Sequence, residues 1–267
     1  MFDSIQYSDY STFYNLIFVM GVIGLVVAVV LYYVNAGYGK FQNDKWGPVI
    51  DNKLGWLLME MPVFIIFLYL WLVSPYKEVR NVPYILFLLF FEFHYFQRSF
   101  VFPFRLKGKS KMPIVIMALS VIWNIINGYI QGWWLFYLAP KYEPDFYSRS
   151  WITHPIFITG TVLFFIGWVI NMHSDYVIRC LRREGDSRHY LPKKGLYRYV
   201  TSANYLGEII EWLGFAILTC SAAGFLFFWF TCCNLIPRAN AIYNKYAVDF
   251  ADEFDKKRLK RIIPFIY

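Results

Sequence analysis

The sequence predicts an all-α, polytopic integral membrane protein: seven transmembrane helices packed around an internal cavity. Three observations lead there. The 267-residue chain is 58% hydrophobic and only 16% charged, against about half apolar and a quarter charged for an average soluble domain. Its mean hydropathy is +0.40. And its apolar residues fall into runs near the roughly 20 residues that a spanning helix needs.

Five runs qualify outright: about 13–34, 54–74, 82–102, 112–138 and 152–172. The sixth apolar region, 203–237, is too long for one span. At 1.5 Å rise it gives about 53 Å, somewhat short of the roughly 60 Å of two crossings. Loop charge decides how it is used, because Lys and Arg collect on the cytoplasmic side. Pro103–Met112 carries Arg105, Lys107, Lys109 and Lys111 with no acid, and His173–Ser202 holds seven Lys/Arg against three acids. Ala139–Trp151 instead balances Lys141 and Arg149 with Glu143 and Asp145. The odd-numbered loops are therefore cytosolic, and the N-terminus lies outside or in the lumen. The segment 238–267 is basic as well, so an even number of crossings separates it from the loop after helix five. Two short helices, about 203–218 and 220–237, satisfy this and bring the total to seven. Helix five runs beyond the membrane, since Asn171–Arg183 lacks Gly and Pro, and Gly185 offers a stop. One integral domain, 1–267, accounts for the chain.

Several function classes lose support. The net charge of +8 reads as membrane topology and not as nucleic-acid binding. Cys180, Cys220, Cys232 and Cys233 have neither metal-ligand nor secreted-disulfide spacing. MFDSIQYSDY lacks the basic start of a cleaved signal peptide. Neither a G-x-G-x-x-G nor a Walker sequence occurs, so a Rossmann or P-loop nucleotide site is not expected.

The polar residues inside the apolar runs carry the chemistry. Asn171, Asp175, Arg179 and Arg182 share about 80° of helical arc, with His173 opposite, and Asn204, Glu208 and Glu211 share about 60°. Glu60 sits in the second run, and Glu92, Tyr95 and Arg98 recur at i, i+3, i+6 in the third. Each has an ordinary reading: helix-tying for Asn204 and Glu211, an i,i+4 pair for Asp175–Arg179, snorkelling for Arg98, packing for His94 and His173. Trp133, Trp134 and Trp151 read as an interfacial belt. As a set, ionisable groups at membrane depth on several helices point to function. The residues alone lead to a membrane enzyme or transporter with a polar cavity open to the cytosol.

Longer stretches carry a resemblance. GYGK (37–40), Trp56-x-x-x-Glu60-x-Pro62, HYFQRSFVFP (94–103), NGYIQG (127–132), N-x-H-S-D-Y-x-x-R-x-L-R (171–182), SANYLGEIIEW (202–212) and IPFIY (263–267) are similar to the steroid 5-alpha-reductases, from about Gly37 onward. The resemblance implies a seven-helix membrane enzyme of the endoplasmic reticulum, or of the inner membrane if bacterial. It holds NADPH among its helices and reduces the Δ4 double bond of a 3-oxo-Δ4-steroid, hydride going to C5 and a proton to C4. By this resemblance Glu60 and Tyr95 contact the steroid C3 carbonyl and Trp56 lines its pocket. Tyr38, Arg98, Lys109, Asn171, Asp175, Arg182, Asn204, Glu208 and Tyr246 belong to the cofactor site. The chemistry suits them: hydride attack on an enone loads charge onto the carbonyl oxygen, and donors aimed at it stabilise the transition state. The chain departs from the family pattern at Tyr190, where a basic residue is usual, at Ile242, where histidines follow an Arg-Ala pair, and at Phe102, where a tyrosine is found. Other readings are a reductase of a different activated double bond (a trans-2-enoyl-CoA or a polyprenal) and a non-catalytic sterol-binding or transport protein. The implied partners are a steroid and the lipid bilayer, without nucleic acid; the oligomeric state stays open and a monomer fits.

Overall fold

The computed structural model describes residues 2–37, 39–41, 44–107, 110–183 and 188–267. Nine α-helices occur among them: α1 (Phe2–Tyr33), α2 (Asn52–Val73), α3 (Val82–Phe96), α4 (Phe102–Arg105), α5 (Ile114–Trp133), α6 (Ala139–Tyr142), α7 (Pro155–Cys180), α8 (Ala203–Thr219) and α9 (Ala222–Asp249). The only sheet among these residues is a ribbon of β1 (Val49–Asp51) and β2 (Lys111–Pro113), antiparallel with Ile50 opposite Met112. It clips the approach to α2 onto the approach to α5, and Asp51 caps α2 through the Lys53 and Leu54 amides.

Six helical stretches are long and apolar enough to cross a bilayer: Ser8–Tyr33, Asn52–Val73, Val82–Arg105, Ile114–Tyr142, Pro155–Cys180 and Ala222–Asp249. All five outright runs are among them. The region 203–237 is indeed a helical pair, turning at Cys220, whose φ of 44° is left-handed. Its first member, α8, has 17 residues, about 25 Å, and is too short to count with the six. Its ends nonetheless lie at opposite faces of the bundle. Trp151 Nε1 donates to the Leu218 carbonyl at one face, while Thr201 and Ser202 pair with Lys260 and Arg261 at the other. The second member runs well past 237, carrying Arg238–Asp249 as helix through Pro237.

The closest packing in the bundle is between α7 and α8, and glycines cause it. Gly160 and Gly167 on α7 face Gly214 and Gly207 on α8, each seven residues apart along its helix. A Cβ on any of the four would overlap the partner's backbone: Gly207 meets Asn171, and Gly167 meets Glu211. Two backbones in contact fix the register of Asn171 and Asp175 against Asn204, Glu208 and Glu211. Small residues drive such approach where lipid removes the ordinary hydrophobic force.

Aromatic residues fill one end of the bundle. Trp134 and Trp151 are buried there, 5% and 8% exposed, not arrayed at a lipid interface as the sequence suggested. Trp134 Nε1 donates to Tyr147 Oη at 3.1 Å, and Tyr147 in turn donates to the Thr219 carbonyl. A Trp near a segment end satisfies its indole N–H in the bilayer interface or on a neighbouring helix end with equal ease; here the helix ends were closer. Lys141 pairs with Asp9, and Tyr10 donates to Glu143. These contacts put the start of α1 on the same face as Ala139–Trp151, as the loop charges require.

Candidate active site

A cavity of about 350 Å³ opens among α2, α3, α5, α7, α8 and α9, within the range of small-molecule sites. The second apolar run supplies Trp56 and Glu60 to its wall, and the third supplies Tyr95 and Arg98. Asp175, Arg179 and Arg182 come from the end of α7, and Asn204 and Glu208 from α8. Residues more than 140 positions apart in the chain thus meet in one chamber.

Tyr95 is 3% exposed, and its hydroxyl oxygen accepts from Asn127 Nδ2 at 3.4 Å. Asn127 Oδ1 accepts from Gln131 Nε2, which also donates to the Ala223 carbonyl. This chain fixes Asn127 as a donor, so the Tyr95 proton is directed away from it and toward the cavity. Glu60 stands nearby, with one oxygen 3.4 Å from Asn124 Nδ2, itself anchored on the Met59 carbonyl at 2.7 Å. A hydroxyl and a carboxyl therefore converge on one apolar chamber, each backed by a buried amide of α5. Asn124 was not singled out in the sequence, and Asn127 and Gln131 appeared only as part of the NGYIQG stretch. Their i, i+3, i+7 spacing on an otherwise apolar helix was the signal that could have found them.

Arg98 lies on a π-helical turn, Gln97–Val101, of the kind often found at functional sites. It neither snorkels nor reaches solvent, being 8% exposed. Its guanidinium lies 4.8 Å from the centre of the Trp56 ring and 4.5 Å from that of Phe102, and Nη1 donates to Asp175 Oδ2 at 3.2 Å. Asp175 thus pairs with Arg98 across the cavity, not with Arg179 along its own helix. Its other oxygen accepts from Asn204 Nδ2 at 3.3 Å, and Asn204 Oδ1 accepts from Tyr197 Oη at 3.2 Å. Burial pushes the Tyr197 hydroxyl well above its usual range, which keeps it a donor.

Asn171 is 1% exposed and stands behind the wall, donating to the Asn204 carbonyl at 2.9 Å. Tyr246 is also off the wall, packed with Leu191, Phe254 and Leu259 beneath the C-terminal segment. The family resemblance assigned both to the cofactor site; neither side chain lines the cavity. Tyr38 and Lys109 lie outside the described residues. Glu211 is fully buried and binds His94 Nδ1 at 2.7 Å. Glu92 is buried but does not line the cavity, and among the described residues both its oxygens lack hydrogen-bond partners.

Many cationic side chains line the chamber. Arg98, Arg105, Lys107, Arg179, Arg182 and Arg238 all line it, and Arg182 Nη2 lies 2.6 Å from His189 Nδ1. Glu208 faces the same space and makes no hydrogen bond among the described residues. A guanidinium cluster suits phosphate oxygens, and the carboxyl group of Glu208 suits a carboxamide's N–H groups. The donor set therefore fits a dinucleotide.

The family model for 3-oxo-5-alpha-steroid 4-dehydrogenase matches residues 110–267. Steroid 5-alpha-reductase DET2 of Gossypium hirsutum is 35% identical over 266 residues, covering 97% of this chain and 99% of that protein. The chain belongs to the 3-oxo-5-alpha-steroid 4-dehydrogenase family. Steroid 5-alpha-reductase DET2 of Arabidopsis thaliana is 36% identical over 91% of this chain and 92% of its own length. The mouse (Mus musculus) 3-oxo-5-alpha-steroid 4-dehydrogenase 1 is 35% identical over 94% and 95%. Family membership makes the protein an oxidoreductase of the class acting on CH–CH groups, and its apolar helices make it an integral membrane protein.

Proposed function

We propose that this protein reduces the Δ4 double bond of 3-oxo-Δ4-steroids to 5-alpha-3-oxosteroids with NADPH. The observation that carries the reading is the Tyr95 hydroxyl: it accepts from Asn127, so its proton is free for a carbonyl in the cavity. When bound, the nicotinamide supplies a hydride to C5 of the enone. Negative charge then grows on the C3 oxygen, and Tyr95 donates to it from a fixed position. A protonated Glu60 would donate beside it. Such prearranged donors need no reorganisation as the charge develops. Trp56 lines the pocket and holds the Arg98 guanidinium by its ring face.

Arg98, Arg179, Arg182 and Arg238 hold the cofactor's phosphates in this reading, and the family resemblance adds Lys109 and Tyr38 to the cofactor contacts. Glu208 accepts from the nicotinamide carboxamide. Asn204 has both side-chain ends engaged with Asp175 and Tyr197, so it sets Asp175 in place instead of orienting the carboxamide directly. Asn171 and Tyr246 support the wall from behind. A single domain of 1–267 houses the reaction, with the N-terminus lumenal and the C-terminus cytosolic in the endoplasmic reticulum, or in the inner membrane of a bacterium.

A substrate panel with mass detection tests this. Purified protein with NADPH should convert progesterone or testosterone into a product two mass units heavier, identical to the 5-alpha standard. Turnover of a trans-2-enoyl-CoA or a polyprenal without any steroid turnover would transfer the reading to that substrate.

A further inference from the structure

Reduction of an enone needs two services from the protein: donors for the oxygen and a proton for the carbon next to the carbonyl. Glu60 and Tyr95 are arranged for the first. The second has so far no group assigned, and one buried pair fits it.

His94 lines the cavity beside Tyr95 and is 3% exposed. Its ring is held on several sides: Trp212 lies 4.5 Å away and Tyr95 5.1 Å away between ring centres, both close to edge-on. Its Nδ1 is 2.7 Å from Glu211 Oε1. With Nδ1 engaged and the ring packed on Trp212 and Tyr95, Nε2 is the nitrogen left for the cavity. Glu211 is fully buried, and its second oxygen makes no hydrogen bond among the described residues. A lone carboxyl sealed behind an imidazole is costly to keep as packing alone. Among the described residues, the charged or titratable groups around His94 are Glu60 from α2, Tyr95 from α3, Arg98 from the π-helical turn after it, Asp175 from α7, and Glu208 and Glu211 from α8.

We infer that His94, held by Glu211, is the proton donor to C4 of the reduced steroid. The inference rests on the function proposed above. C5 gains the hydride, the nicotinamide is oxidised, and the enone electrons move to the C3 oxygen as an enolate. The enolate electrons then form a C4–H bond with the Nε2 proton, the N–H bond breaks, and the C3 carbonyl returns. Nδ1 takes the proton that Glu211 had held, leaving a Glu211 carboxylate hydrogen-bonded to a neutral imidazole. Water entering after product release restores the pair. Carboxylate, imidazole and reacting carbon form one relay, in which Glu211 is a positioning and proton-holding residue and His94 the catalytic one.

Full-length protein in detergent tests it with His94→Gln, His94→Ala and Glu211→Gln. Wild-type turnover of a 3-oxo-Δ4-steroid comes first, since its absence refutes the functional reading and not the relay in particular. Given wild-type turnover, His94→Gln should lose about 100-fold in kcat, with KM and the cofactor Kd (from Trp fluorescence quenching) little changed. Its solvent deuterium isotope effect on kcat should exceed that of the wild type, because protonation becomes slow. Exogenous imidazole should restore about tenfold or more in His94→Ala. Glu211→Gln keeps the volume but not the proton reserve, so it should lower kcat and displace the pH profile. A His94→Gln protein that melts and binds cofactor like wild type, and turns over within about threefold of it, overturns the relay. Lost activity with an unchanged isotope effect and no imidazole rescue overturns it too, and makes His94 a packing residue. Should His94→Gln fail to fold, Glu211→Gln decides: an unchanged kcat and pH profile overturn the relay.

Discussion

Replacing Arg98 with Met removes a buried charge without removing much volume, and the structure sets the size of the effect. The side chains of Arg98 and Asp175 are 9% and 10% exposed, and their bond is 3.2 Å long. Without the guanidinium, Asp175 keeps, among the described residues, only the long bond from Asn204 and faces a cavity lined also by the carboxyls of Glu60 and Glu208. Stranding one member of a buried pair typically costs about 3–5 kcal/mol. At about 2–4 °C per kcal/mol, the ligand-free protein in detergent should melt about 6–20 °C lower. Arg98→Met combined with Asp175→Asn should recover much of that loss, because no unpaired charge is left behind. Melting curves of the four proteins in the cycle read both numbers. A single variant melting within about 2 °C of wild type, or a double variant showing the plain sum of the two losses, would refute the account of this pair.

Other predictions follow from the same contacts. Asn127→Ala frees the Tyr95 hydroxyl to turn, so kcat should fall about tenfold or more with cofactor affinity unchanged, measured by steady-state kinetics and fluorescence titration. Gly207→Ala drives a methyl into the Asn171 backbone and should cost about 1–3 kcal/mol; the same variant should weaken cofactor binding, since the wall residues of α7 and α8 separate. Trp151→Phe strands the Leu218 carbonyl, a loss of about 1–3 kcal/mol that lowers the melting temperature while KM stays the same. Glu60→Gln should leave cofactor binding intact and lower kcat, about 10²–10⁴-fold when combined with Tyr95→Phe.

How much of this was legible in the sequence depended on the kind of signal. Helices α2, α3, α5 and α7 were readable because a bilayer imposes length and apolarity together. The 171–182 arc was readable for the same reason: helical spacing alone puts Asp175 and Arg179 on one face. Direction within that arc was not, which is why Asn171 fell behind the wall. Asn204 shows a subtler limit, since its spacing was correct but its two ends were claimed by Asp175 and Tyr197, partners 29 and 7 positions away. His94 looked like a lone imidazole because its partner Glu211 is 117 positions distant. Trp134 and Trp151 looked interfacial because residue type cannot separate a lipid boundary from the closed end of a bundle. The glycines that set α7 against α8 are seven apart on each helix, yet only the packed pair shows them facing one another.

The central claim is that the chamber between Tyr95 and the arginine cluster brings a nicotinamide's hydride to C5 of an enone steroid whose carbonyl Tyr95 and Glu60 hold. The most direct measurement is the fate of the label from NADPH deuterated at the transferring carbon. With wild-type protein and a 3-oxo-Δ4-steroid in ordinary water, the product should carry one deuterium, at C5 on the alpha face, and hydrogen at C4. Product without deuterium, or with the label at any other carbon, would contradict the account.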